Sequence, residues 1–524
     1  MKILYKIVLI TGLSFFAACT DLEVAPKDLA SGDLVFNDFT AYESFIAKIY
    51  AGLSVSGQQG PAGNGDIKGI DEGFSQYIRT YWYLQQMPTD ETKVQWGDDG
   101  IQDLNVQGWT DGNQFVEAFY YRVFYQISLV NEFIRESTDA KLTERGFTTA
   151  EKADIKRFEA EARFLRALAY YHGLDLFRNV PFYTEEAAIG ATAPDQGTPS
   201  QVFNYIESEL TAIEAALYDP KAGPYGRADK GALWALQAKL YLNAEVYIGT
   251  NKNTEAITAC TKAINSGAYS LNPIYTQNFG ADNHLSPEVI FAALYDGVTT
   301  QTWGGTTFLV HAAIGGEMVP EDYGVNSGWG GIRSTSAFVD KFADITGNTD
   351  SRAIFYTNGQ TKEIQSLVDF QQGYAVPKFT NLDQFGNFGS DLNHPDTDFP
   401  IFRFADIYLT YAEAVVRGGA GGDLATATSY VNLLRERAYG NTTGNVASGD
   451  LTLSFILDER SRELYWEGHR RTDLVRFNQF TENGIWPWKG NVQAGTTTSS
   501  YLDIFPIPAS ELIANPKLKP NPGY

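Results

Sequence analysis

The sequence predicts a mainly α-helical protein: a scaffold of helical hairpins, a loop-rich lobe and only minor β structure. Three observations carry that expectation. Apolar residues recur at i, i+3, i+4 and i+7 in several separate segments, which is the spacing that puts them on one helix face. Between these segments lie two stretches, about 54–112 and 270–400, that lack the period and are rich in Gly, Asn, Asp and aromatics. Strand-like runs are few, the clearest being Glu288-Val289-Ile290-Phe291-Ala292-Ala293-Leu294.

Taken in order, residues 38–53 place Phe39, Tyr42, Phe45, Ile46, Ile49 and Leu53 on one face. Residues 113–136 read as a long aromatic helix from Phe115 and Phe119 to Phe133 and Ile134. Residues 150–177 set an apolar face (Ile155, Phe158, Ala162, Leu165, Ala169, Leu176) against a charged one, and Arg178-Asn179-Val180-Pro181 ends the helix. Thr198-Pro199-Ser200 is a start signal for a helix over 200–217. Helices over 228–247 and 253–266 follow. Their small residues, Ala235, Ala238, Ala244, Ala256 and Ala263, let two helices approach closely, as in a tetratricopeptide-type hairpin. A similar hairpin recurs at 404–414 and 423–438. No regular repeat period links the two.

The first residues have their own pattern. Lys2 and Lys6 precede an apolar run that closes on Ala17-Ala18-Cys19. A charged start, an apolar core and small residues before the cut mark a secretory signal, and a Cys at the cut points to lipoprotein processing. Cys19 would then become the lipidated first residue, anchored by acyl chains that each contribute about 0.8 kcal/mol per buried CH2. Thr20-Asp21-Leu22-Glu23 begins an acidic tether. No later segment offers the ~18 uninterrupted apolar residues of a membrane-spanning helix.

The formal charge of −23 over 524 residues argues against nucleic acid, whose phosphates demand basic patches. Cys260 has no partner once Cys19 is lipidated, and it reads as a small buried residue. Aromatics stand out, with 9 Trp, 30 Tyr and 33 Phe; flat rings serve helix interfaces or stack on sugar rings, and both uses stay open. The sequence has no P-loop, dinucleotide fingerprint, His-Glu-x-x-His or Gly-x-Ser-x-Gly motif. Its five His (His172, His284, His311, His394, His469) show no metal spacing. Asp98-Asp99-Gly100 with Asp103 reads either as a plain turn or as oxygen ligands for Ca2+. No other cofactor is expected.

Two C-terminal runs carry a family resemblance. Glu459-Arg460-Ser461-Arg462-Glu463-Leu464-Tyr465-Trp466-Glu467-Gly468-His469-Arg470-Arg471-Thr472-Asp473-Leu474-Val475-Arg476-Phe477 resembles a signature of the SusD/RagB family. So does Phe505-Pro506-Ile507-Pro508-Ala509-Ser510-Glu511-Leu512 with the ending Asn521-Pro522-Gly523-Tyr524. The lipoprotein start and the helices ending near Val180 and Ala414 fit the same family. The resemblance implies a leader over 1–18, a tether over 19–32 and one domain over 33–524. Within that domain the scaffold would be about 33–53, 113–268 and 401–480, the lobe about 54–112 and 270–400, and the closing segment 481–524. It implies no enzyme. It implies a lipid-anchored outer-membrane protein facing the cell exterior, which captures oligosaccharide for a SusC-type TonB-dependent transporter and acts as its lid. Glu463, Glu467, His469, Arg470 and Asp473 read as a structural ion-pair network rather than a site, since no nucleophile motif accompanies them.

The starch-binding branch of that family uses an Asp, an Arg, a Trp and an Asn in the first irregular stretch. By order and spacing these fall on Asp71, Arg79, Trp96 and Asp99, the last being Asp where the family has Asn. Tyr295 and Trp329 match the family's further ring platforms, and Trp303 competes with Trp329. The constellation leans toward an α-glucan. Two other readings remain. One is peptide uptake, as in the RagB branch. The other is a glycoside hydrolase, which needs two carboxylates ~5–9.5 Å apart that Asp90, Glu91, Asp98 and Asp99 would have to supply.

Overall fold

The computed structural model describes residues 32–187 and 193–524; Cys19 and the leader lie outside the described residues. It is mainly helical, as the periodicity predicts. The first three predicted helices are α1 (Phe39–Ser54), α3 (Gln114–Glu136) and α4 (Thr149–Phe177). Each begins on a residue able to satisfy free helix N–H groups. Asp38 accepts from the Ala41 N–H at 2.8 Å, and Thr148 forms a reciprocal capping box with Glu151. The long aromatic helix α3 (Gln114–Glu136) lies against α1 and α4.

Next come α5 (Pro199–Ile213), α6 (Lys230–Leu242) and α7 (Asn253–Asn265). The α6–α7 hairpin buries Ala235, Ala238, Ala256, Ala259, Cys260 and Ala263. Cys260 is thus the small core residue the sequence suggested, and burial pushes its thiol well up. The predicted 228–247 helix is interrupted at Asn243, with a short turn of helix over Ala244–Ile248. The late hairpin pairs α9 (Phe404–Val416) with α10 (Leu424–Tyr439), where the Tyr408 and Tyr430 rings stack at 4.5 Å and 7°.

Two expectations need correction. First, the irregular stretches are not free of helix. They contain α2 (Tyr77–Gln86) and α8 (Gly305–Ala312). Every residue of α2 except Arg79 is buried, including the polar Thr80, Gln85 and Gln86 that break its apolar pattern, and all of the eight-residue α8 is buried too. Periodicity reports only helices with a wet side.

Second, the charged run at 459–477 is not one helix. α11 (Leu453–Leu464) stops, the chain turns with Trp466 and Gly468 at φ of 62° and 78°, and α12 (Arg470–Arg476) begins. A Cβ on Gly468 would sit 2.7 Å from the Tyr81 ring, so both conformation and space favour glycine there.

The turn aims Glu463 and Glu467 into the protein, where they meet cations from the lobe and scaffold. Strand β2 (Val289–Ala293) pairs antiparallel with β4 (Phe399–Arg403). Arg403 bridges Glu467 (2.6 Å), Glu288 (2.6 Å) and Glu463 (2.7 Å), with every side chain at most 1% exposed. Arg437 joins Glu288, Arg352 joins Glu459 and Asp350, and Lys378 joins Glu467. Burial would raise Glu459, but Arg352, Arg462 and Arg435 hold it down at about 2. Arg470 is held by Asp90, and Asp473 by Arg460 and Arg476. His469 lies beside Lys239, and burial followed by that cation holds it well below the usual histidine range. These groups bolt the lobe to the scaffold.

Candidate functional site

The site is built on a second two-stranded ribbon. Strand β1 (Thr92–Val94) pairs antiparallel with β3 (Ile332–Ser334). The pairing extends outward, with the Gln95 N–H donating to Gly331 O at 2.9 Å. That register brings Trp96 beside Trp329. The Trp96 indole N–H donates to Trp329 O at 3.2 Å, and the rings lie 6.4 Å apart at 46°. A Cβ on Gly331 would stand 2.5 Å from the Trp96 ring, so glycine makes room for it.

The end of α8 fixes the other strand. Trp329 N–H donates to His311 O at 2.7 Å, Gly330 to Ile314 O at 2.8 Å and Gly331 to Ala312 O at 2.8 Å. Trp303, just before α8, lies 6.1 Å from Trp329. Trp96, Trp303 and Trp329 are all half-buried. Trp303 and Trp329 are therefore neighbours in one cluster rather than rivals for one position.

Arg79 is the single unburied residue of α2, and it projects into this cluster. Its guanidinium lies 4.8 Å from the Phe308 ring and 5.7 Å from Trp96. It donates to Trp303 O (2.8 Å), Gly73 O (3.2 Å) and the Tyr83 hydroxyl (2.9 Å). Nη2 makes no hydrogen bond among the described residues, which leaves it for a ligand oxygen. Asp71 is exposed, and one of its oxygens accepts from Gly73 N–H (2.8 Å) and Phe74 N–H (3.2 Å). A Cβ on Gly73 would lie 3.0 Å from that oxygen and 3.7 Å from Trp303, so carboxylate and ring share one rim.

Two predicted residues fall elsewhere. Tyr295 is not a platform: it is 4% exposed, and its hydroxyl accepts from Gln76 Nε2 at 3.1 Å. The chain leaves β2 beneath α8, and the ring is drawn under Gly305 instead of standing out. Burial pushes its phenol well above the ordinary value. Asp99 occupies an exposed turn and contributes its carbonyl, to Gln114 at 2.5 Å. Among the described residues no group of three or more His, Cys, Asp or Glu could hold a metal ion, the Asp98–Asp103 turn included.

Two of the four carboxylates named for the hydrolase reading, Asp90 and Glu91, are buried away from the ring cluster. Asp90 is buried against Arg470 at 2.7 Å; desolvation opposes its charge, but Arg470 and Lys341 hold it well below the usual range. Glu91 is buried and accepts from Ser461 at 2.7 Å; burial lifts it to about 7.

Three supports carry no local sequence signal. Gln76 Oε1 accepts from Arg79 N–H (2.8 Å) and Gly305 N–H (2.9 Å), so one amide caps α2 and ties it to α8. His394 lies against Trp303 at 4.7 Å. His311 stacks on Trp329 at 4.8 Å and 15°. None belongs to a local pattern, since each acts across a gap that only folding closes.

Below the cluster, Asp398 accepts from Tyr295 N–H and from the Tyr225 hydroxyl, both at 2.8 Å. Burial lifts it from 3.8 to about 7. A raised carboxyl contributes stability below its unfolded pKa and loses it as pH rises through the folded value. Wild type should therefore lose stability from this group between pH 3.8 and about 7. Asp398→Asn, which keeps the shape of the neutral acid, should flatten that part of the profile. Thermal melts of both proteins across this range check it; parallel profiles would refute it.

The fold and this cluster define a helical-hairpin scaffold whose lobe presents open aromatic faces beside a cation and a carboxylate. The chain belongs to the SusD family, and residues 354–524 match that family directly. It is 36% identical to the starch-binding protein SusD of Bacteroides thetaiotaomicron, with 100% of this chain and 99% of that protein covered. Among solved structures, a SusD superfamily protein from Parabacteroides distasonis superposes with a TM-score of 0.72 at 19% identity, covering 93% of this chain and 99% of that one. Surface glycan-binding protein A from Bacteroides thetaiotaomicron, in complex with laminarihexaose, gives 0.68 at 19% identity, covering 92% and 99%. Among the described residues no helix is long and apolar enough to cross a membrane.

Proposed function

We propose that the protein captures oligosaccharide on the Trp96–Trp329–Trp303 cluster and passes it to a SusC-type TonB-dependent transporter, breaking no bond itself. The observation that carries this reading is the run of half-open rings, spaced 6.4 and 6.1 Å, beside an Arg79 guanidinium with a free nitrogen. Apolar sugar faces stack on such rings, while vicinal hydroxyls take a guanidinium donor and the Asp71 acceptor. Burial of Asp90 and Glu91 supports binding over hydrolysis. The α-glucan preference rests on the 36% identical relative, named for starch binding. Anchorage through Cys19 at the outer membrane, facing outward, belongs to the same reading. The affinity of a few stacked rings falls between about micromolar and millimolar.

Calorimetry of the chain from Thr20 onward, against maltoheptaose, laminarihexaose, dextran, levan, xylan and a peptide mixture, tests it. Heat with maltoheptaose above the others is expected. Heat from the peptides alone would move the protein to peptide uptake.

A further inference from the structure

His311 is a group the glycan reading leaves unused, and its surroundings are unusual. Its ring lies flat beneath Trp329, 4.8 Å away at 15°. Nδ1 is 2.7 Å from Ser327 O, and Nε2 is 3.0 Å from Asn393 O. Both neighbours are carbonyl oxygens, which only accept. A neutral imidazole has one N–H and one lone pair, so it satisfies one carbonyl and turns its lone pair toward the other. The imidazolium donates to both. Ser327 lies in the segment that carries Trp329, and Asn393 in the loop that carries His394 under Trp303.

We propose that His311 is a positioning residue whose protonation clamps the Trp329 platform between these two segments, so that the site grips sugar more tightly as pH falls. The inference rests on the glycan reading for its ligand, but the clamp itself is a property of the free protein. Burial works against the charge and the two carbonyls work for it, and the group lies below the ordinary 6.5. The clamp therefore closes only below the ordinary histidine range. Of the charged groups facing the ring, Asp391 favours its charge and His394 opposes it. The 327–331 segment adds no titratable group, and His311 is the only one on α8.

Two measurements test this. In free protein labelled with 15N, the Trp329 indole resonance should shift with the same midpoint as the His311 ring, whose two nitrogens should both carry protons at the acid end. An indole resonance that ignores the His311 titration would overturn the clamp without any ligand. Maltoheptaose affinity, measured from pH 7.5 to 5.0, should rise about two- to tenfold in wild type, the range expected for freezing one side chain. It should stay flat in His311→Phe, which keeps a stacked ring but has no N–H, and by reciprocity the sugar should raise the His311 midpoint. Parallel pH profiles for wild type and His311→Phe, with Trp329→Ala still weakening binding, would defeat the clamp and leave the site standing. If Trp329→Ala binds like wild type, the site itself is misassigned and the link to sugar falls with it.

Discussion

Trp329→Ala and Trp96→Ala should each weaken oligosaccharide binding by about 30-fold or more, the equivalent of ~2 kcal/mol for an aromatic anchor at the centre of a contact. Both rings are half-buried, so truncation also removes packing. Trp96 covers Phe308 at 5.9 Å and faces Arg79 at 5.7 Å, and its loss would loosen the guanidinium as well. Trp96→Phe keeps a stacking face and should retain most of the affinity, which separates lost contact from lost fold. Tyr295→Phe is the informative contrast. Its ring is buried and its hydroxyl faces Gln76, so removing that hydroxyl should lower stability by about 1 kcal/mol and leave affinity almost unchanged. A large affinity loss in a folded Tyr295→Ala protein, with none in Trp329→Ala, would reverse the assignment of platform and support.

Arg403→Ala should be the most damaging single change to the fold. It would leave Glu288, Glu463 and Glu467 buried, with Arg437, Arg352 and Lys378 as the remaining cations paired to them. Breaking one side of a buried ion pair costs about 3–5 kcal/mol, a large share of a typical protein's net stability. Arg403→Lys restores the charge but not the fork that reaches three carboxylates at once, so it should recover only part of the loss. The exposed pair Lys362–Asp340 gives the control, because an exposed ion pair contributes little. Urea unfolding followed by circular dichroism would read all three. An Arg403→Ala protein as stable as Lys362→Ala would mean that the network is ornamental.

The parts of the fold that were legible share a physical cause. Helices such as α5, with one wet and one dry face, announce themselves by spacing, and the α6–α7 hairpin does so by its alanines. α2 was silent because its buried Thr80, Gln85 and Gln86 interrupt the apolar pattern, and α8 because it is short and wholly buried. The break at 465–469 was silent for a different reason: Trp466 gives no sign of a positive φ, and the following Gly468 makes sense only against Tyr81, nearly 390 residues away in sequence. At the site, Arg79, Trp96, Trp303, Trp329 and Asp71 were reachable by residue type and order, and the structure brings them together. Tyr295 and Asp99 were chosen by the same logic, yet neither joins the ring cluster. Order along the chain does not say which side of a strand end a ring will take. His311, His394 and Gln76 could not be read in advance, because their roles are contacts between segments.

On the proposed function, sugar lies on the Trp96–Trp329–Trp303 cluster. A crystal structure of the protein with maltoheptaose tests it most directly. Glucose rings should stack on Trp96 and Trp329, with hydroxyls within hydrogen-bond reach of Arg79 Nη2 and Asp71. Sugar bound instead in the apolar cavity of about 350 Å3 lined by Tyr50, Phe158 and Tyr225, with the tryptophan cluster bare, would contradict it.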